Sequence, residues 1–129
     1  MDDQWVLIDT SIFIDYFRKK NKAKTLFYSL SRQFNVATSA VYYFEVFAGA
    51  KTNDLDFLNE MFKVIEILPF DKNGARKASE LFQLLRRQNK LIDFRDLFIS
   101  LTALLNGLAL ATLNLKHFDR IPGLKLYPV

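Results

Sequence analysis

The stretch Val6-Leu7-Ile8-Asp9-Thr10-Ser11-Ile12-Phe13-Ile14-Asp15 decides the fold. Its first three residues are a short, unbroken apolar run, the composition of a strand buried on both faces. Asp9 ends the run, and Thr10 or Ser11 can cap a helix starting at Ile12. With a hydroxyl as the cap, Asp9 is released for other work. Working outward, strand and helix signals keep alternating. A helix is expected over residues 22–32 and a strand over 34–37. Thr38 and Ser39 open a helix that runs through Ala48 and stops at Gly49, and Asn53 or Asp54 opens another. A strand over 64–68 ends at Pro69. Asp71 caps a long helix over 72–89, and Asp93 caps one that runs to Asn106. Strands over 109–113 and 124–127 close the chain. This order predicts an α/β fold, a three-layer α/β/α sandwich around a mainly parallel central sheet. In such sheets ligands bind beyond the carboxyl ends of the strands.

With 129 residues the chain fits one domain spanning 1–129. Half of it is hydrophobic and 13 residues are Phe, which supports a sizeable core and excludes disorder, collagen and fibrous repeats. The absence of Cys rules out disulfides and thiolate metal sites, and it suits a reducing, cytoplasmic setting. Lys and Arg number 18 against 14 Asp and Glu, a net charge of +4 that assists nucleic-acid binding without proving it. The basic residues gather over 18–24, 72–77, 86–90 and 116–125, each able to serve simply as a solvated face. The start, Met1-Asp2-Asp3, is acidic where a signal peptide would be basic. Residues 97–115 carry no charge, but Asn106-Gly107 is a helix stop inside them. No membrane association is expected.

Three carboxylates stand where a carboxylate needs a reason. Glu45 is the only charge in Val41-Tyr42-Tyr43-Phe44-Glu45-Val46-Phe47-Ala48. Burial of an unpaired carboxylate costs several kcal/mol, so Glu45 is expected to be protonated, paired with a base, or metal-bound. Asp9 is either the cap of its helix or a functional acid at a strand end. Asp96 lies in a first helical turn, where the macrodipole alone favours a carboxylate. Together they suggest more than their separate explanations. Two carboxylates at roughly 4 Å repel by about 4 kcal/mol at an effective dielectric near 20, unless a cation sits between them. An all-oxygen site suits Mg2+ or Mn2+, which serve phosphodiester cleavage by activating water and neutralising phosphate oxygens. His117 is the only histidine and reads as a surface or packing residue.

These segments resemble a PIN domain, and more narrowly a VapC-type toxin ribonuclease of a type II toxin–antitoxin pair. The likeness rests on four stretches in order: 6–15, with the first acid at Asp9; 38–49, with the second at Glu45; 96–104, opening on the third at Asp96; and 110–124. The resemblance implies Asp9, Glu45 and Asp96 as catalytic residues and ligands of Mg2+ or Mn2+, with RNA as substrate. It also implies a cognate antitoxin and a homodimer. Tyr42, Tyr43, Phe44 and Phe47 point the same way, as they cover more of one helix than a single core contact needs. Ser11 matches a position that orients the attacking water. Where some members carry a fourth acid this chain has Asn114, with Asp119 five residues on as a possible substitute. Asp93 replaces a usual Gly and adds a carboxylate to the outer shell. A PIN-like DNA nuclease and a catalytically silent binding relative remain the alternatives. A phosphoacceptor receiver domain fits poorly, because Asp2 and Asp3 precede the first strand instead of ending it.

Overall fold

A computed structural model describes residues 4–128; Met1, Asp2 and Asp3, the acidic start noted above, and Val129 lie outside the described residues. Strand β1 (Trp5–Ile8) leads into α1 (Thr10–Arg18), α2 (Leu26–Gln33) and β2 (Asn35–Ser39). Then follow α3 (Ala40–Ala48), α4 (Leu55–Met61), β3 (Ile65–Leu68) and α5 (Lys72–Arg87). Helix α6 (Phe94–Asn106) precedes β4 (Ala109–Ala111) and β5 (Leu126–Tyr127). The five strands form one sheet in the order β3-β2-β1-β4-β5, every pair parallel.

Period-two alternation within the buried strands builds the three layers. Val6, Ile8, Val36 and Ala111 face one side, where Ile12 and Phe13 of α1, Phe27 and Leu30 of α2, and Leu58 and Met61 of α4 cover them. Leu7, Ala37 and Leu110 face the other, against Ile99 and Ala103 of α6 and Phe118 of the tail. Helix α5 packs outside α6 through Ala78, Leu85, Leu97 and Leu101. This is the expected α/β/α sandwich with a parallel sheet.

Several boundaries differ from the sequence reading for local reasons. The expected 22–32 helix is split: Thr25 Oγ1 donates to Lys22 O and accepts from Tyr28 N. That bond starts α2 anew after a 3-10 turn at Lys22–Lys24. Strand β4 ends at Ala111 rather than 113, because Thr112 turns its side chain to Asp9. Gly107 does end α6, in the left-handed conformation (φ 65°). Among the described residues no helix is long and apolar enough to cross a membrane.

The surplus of aromatics on α3 has an internal explanation for three of the four residues. Tyr42 is buried, and Tyr43 and Phe47 pack on the Phe62 ring at centroid distances of 4.9 and 5.6 Å. Only Phe44, 68% exposed, stays largely in solvent. The α3 aromatics therefore carry much less of the case for a second copy than the sequence suggested.

Candidate active site

The strand order reverses between β1 and β4, so the crevice beyond their carboxyl ends is where this topology places a site. Asp9 follows β1 and Thr112 follows β4. Thr38 Oγ1 of β2 donates to Ile8 O at 2.8 Å and fixes the chain entering Asp9.

Asp9 is itself the cap of α1, the first of the two alternatives left open for it, and neither Thr10 nor Ser11 takes that role. A carboxylate has lone pairs for more than one task, and the cap uses only part of them. Oδ1 accepts Ser11 N at 2.9 Å and also the Ser11 hydroxyl, while Oδ2 accepts the Thr112 hydroxyl. Both hydroxyls are oriented by their backbone partners: Leu113 N donates to Ser11 Oγ and Asn114 N to Thr112 Oγ1, each at 2.9 Å. With those lone pairs taken, the hydroxyl protons are free to face Asp9. Asp9 is 4% exposed. Burial pushes its carboxyl above the ordinary range, and the Ser11 and Thr112 donors pull part of the way back.

Helix α3 starts at Ser39, whose Oγ accepts Tyr42 N, and it carries Tyr42 and Glu45 one turn apart. Glu45 has a basic partner, one of the alternatives its sequence context left open. Arg95 Nη1 lies 2.8 Å from Oε2, while Oε1 is buried with no hydrogen-bond partner. Asp96 sits in the first turn of α6. Its Oδ1 accepts the Tyr42 hydroxyl at 3.0 Å, and Oδ2 lies 3.2 Å from His117 Nδ1. The Tyr42 phenol is held well above its ordinary value, chiefly by burial, then by the charges of Asp96 and Asp9 and the bond to Asp96, with Glu45 adding to it. One phenol thus feels all three acids, and it stays protonated as a donor.

The remaining expected positions divide. Ser11 lies on Asp9. Asp93 caps α6 and grips Arg95, whose hydrogen bonds hold the Asp93 carboxyl below the usual range. Asn114 reaches the cluster only through its backbone, and its exposed side chain caps nothing. Asp119 is exposed and is not among the residues bonded to Asp9, Glu45 or Asp96. Sequence reading missed Tyr42, Thr112 and Arg95 as site residues; His117 is exposed, as expected, and also sets Nδ1 3.2 Å from Asp96 Oδ2. Thr112 had a usable signal, as the first residue after a strand at the switch point. Tyr42 had one too, at i−3 from Glu45 on one helix.

Among the described residues no three His, Asp or Glu side chains form a ready cation cage; protein donors hold each acid instead. The donor chemistry nonetheless fits a hard divalent ion. The ligands would be carboxylate oxygens, Asp9 is desolvated, and the Glu45 Oε1 orphan is a buried acceptor still lacking a partner. A pocket of about 10 Å³ beside Asp9, bounded by Thr10, Thr38, Tyr42 and Val46, has room for one water-sized atom. A larger groove of about 620 Å³ opens next to Glu45 and Arg95. Phe13, Ile14 and Phe17 give it an apolar wall, and Arg18 and Lys51 add positive charge.

The buried charge gives a stability prediction for the metal-free chain. Because folding raises the Asp9 pKa, ionised Asp9 opposes folding once pH exceeds its unfolded value near 3.8, and fully so above its folded value. Asp9→Asn removes that penalty and keeps a good N-cap. In EDTA at pH 7 the variant should melt a few degrees higher, at about 4 °C per ~1 kcal/mol for a chain of this size. The advantage should vanish as pH falls below 3.8. A scanning-calorimetry series in which Asp9→Asn melts lower at pH 7 would contradict it.

Comparison with known proteins agrees with this fold. The PIN-domain family model matches residues 6–124. Ribonuclease VapC1 of Methanocaldococcus jannaschii is 31% identical over 129 residues, covering 98% of this chain and 89% of that protein. Among solved structures, a toxin–antitoxin complex from Klebsiella pneumoniae aligns with a TM-score of 0.67 at 31% identity, over 92% of this chain and 94% of that one. DNA-bound VapBC from Salmonella typhimurium shares the fold at a TM-score of 0.83 and 22% identity, with 97% of each chain covered. A five-stranded parallel sheet, matched by the family model along nearly the whole chain, places the protein plainly: it belongs to the PIN-domain family and has VapC ribonucleases among its relatives.

Proposed function

We propose that this chain is a metal-dependent endoribonuclease of the cytoplasm and the toxin of a toxin–antitoxin pair, with Asp9, Glu45 and Asp96 as its catalytic acids. The observation that carries the reading is the placement of the acids: Asp9 follows β1 at the switch point, and the Tyr42 hydroxyl, one turn before Glu45 on α3, donates to Asp96 at the start of α6. Asp9, Glu45 and Asp96 would hold Mg2+ or Mn2+, which when bound lowers the pKa of water and neutralises phosphate charge. The chain's own groups prepare that site. Ser11 and Thr112 hold the Asp9 carboxylate by both oxygens, so it enters the site with a fixed orientation. Tyr42 holds one oxygen of Asp96, Oδ1, and keeps its proton while doing so. Arg18 and Lys51 in the groove favour a polyanion beside the acids.

The partners follow from the same surface. The groove's apolar wall suits an amphipathic antitoxin helix, which could place an Arg or Lys among the three acids. The similar Klebsiella pneumoniae structure, a toxin–antitoxin complex, supports this partner. A second copy of the chain would cover exposed apolar side chains such as Phe44, Phe94 and Leu113, making a homodimer.

The test is cut-site mapping on total RNA with purified protein. Discrete cuts with Mg2+ or Mn2+, their loss on chelation, and growth arrest on expression alone that a co-purifying antitoxin relieves are the expected results. Cutting that persists in EDTA would refute metal dependence. Cutting of structured DNA in preference to RNA would favour the DNA-nuclease alternative.

A further inference from the structure

The first turn of α6 carries two consecutive residues of opposite charge, Arg95 and Asp96, and only Asp96 belongs to the proposed cation site. Successive helical positions lie about 100° apart, which turns Arg95 away from Asp96. Its guanidinium instead reaches α3, with Nη1 2.8 Å from Glu45 Oε2. Its other edge holds Asp93: Nε donates to Oδ1 at 3.1 Å and Nη2 to Oδ2 at 3.2 Å. Asp93 Oδ1 also accepts the Arg95 backbone N at 2.9 Å, so this end of the bridge is anchored by the helix cap itself. The Glu45 end is different. Its side chain is 20% exposed, and the oxygen Arg95 does not touch is buried without a partner. Asp93 keeps Arg95 in place whether or not Arg95 holds Glu45.

We infer that Arg95 is a built-in counter-ion that competes with a divalent cation for Glu45, so that metal uptake and release of Arg95 from Glu45 are one coupled event. The inference rests on the three-acid reading above. With Oε2 on the guanidinium only Oε1 is left to a cation, and turning the carboxylate toward an ion held jointly with Asp9 and Asp96 draws Oε2 away from Arg95. In the metal-free chain Arg95 relieves the like-charge repulsion that the cation would otherwise relieve. Metal affinity is therefore set in part by a residue that binds no metal.

The experiment measures Mn2+ binding by isothermal titration calorimetry to the EDTA-stripped full chain, in wild type, R95A, R95K and E45Q. In parallel, the Arg95 Nε–Hε resonance is followed by NMR as Mg2+ is added to wild type. R95A should bind Mn2+ about tenfold tighter than wild type, as expected for removing one competing charge at close range. R95K keeps the charge but loses the two-sided fork, so it should fall between the two. The Nε resonance should move in step with Mg2+ saturation. Equal or weaker Mn2+ binding by R95A overturns the inference, as does an Nε resonance that Mg2+ leaves in place. R95K matching wild type also overturns it, because a general field effect would then account for R95A. If wild type binds Mn2+ through Glu45 while R95A behaves as wild type, the counter-ion role fails and the three-acid site stands. If wild type binds no Mn2+, or E45Q binds it as well as wild type does, both fall together.

Discussion

Asp9→Asn, Glu45→Gln and Asp96→Asn should each lower the RNA-cleavage rate by at least about a thousandfold, the equivalent of ~4 kcal/mol of lost charge stabilisation. Each substitution replaces one carboxylate oxygen with an amide and so removes a ligand charge, while side-chain volume hardly changes. The local structure should tolerate all three. Asn is as good an N-cap as Asp at position 9. Gln at 45 still offers an oxygen to Arg95, and Asn at 96 can still accept the Tyr42 proton. Far-UV circular dichroism should therefore be unchanged, and single-turnover cleavage assays isolate the chemical loss. Near-normal rates in two of the three variants would mean that the catalytic acids have been misassigned.

The second large effect concerns the tail. Phe118 is 1% exposed and fills the space between Leu7, Leu110, Ile99 and Ala103, on the sheet face that α6 covers. Phe118→Ala should cost about 3–5 kcal/mol through lost burial and the cavity left behind. That is a large part of the ~5–15 kcal/mol that holds a typical domain together. With a urea slope of roughly 2 kcal/mol/M, the midpoint should fall by about 1.5–2.5 M. Phe118 also ends the 3-10 turn Leu115–His117, through its backbone N–H on Leu115 O. The substitution keeps that backbone bond but removes the turn's buried anchor, so it should loosen His117 beside Asp96. A midpoint shift below about 0.5 M would show that the tail packs less firmly than its burial implies.

Much of this molecule was legible in its sequence because the signals were local. Val6-Leu7-Ile8 could only be a strand buried on both faces, and Ser39, Asp71, Asp93 and Gly107 mark helix ends by their own chemistry. The misread boundaries came from competing local bonds. Thr25 caps a new helix inside a pattern that reads as continuous, and Thr112 leaves β4 early to reach a carboxylate 103 positions before it. For Asp9 the choice between cap and functional acid was false, since one oxygen pair serves the cap and accepts two hydroxyls as well. Glu45 could be recognised as a charge in need of a partner, but not which partner. Arg95 lies 50 positions away and is brought to it only by the packing of α6 beside α3. Tyr42 and His117 escaped notice for the same reason: an aromatic on an apolar helix and a lone histidine acquire meaning only when the fold sets Asp96 between them.

The central claim is that Asp9, Glu45 and Asp96 jointly hold one divalent site. The most direct measurement is an anomalous-difference map from crystals of the chain soaked in Mn2+. The account predicts a peak bounded by carboxylate oxygens of all three residues, with the Arg95 guanidinium withdrawn from Glu45 and still on Asp93. A peak elsewhere on the chain, or one that Glu45 does not touch, would contradict it; a three-acid peak with Arg95 still on Glu45 would contradict the counter-ion role alone.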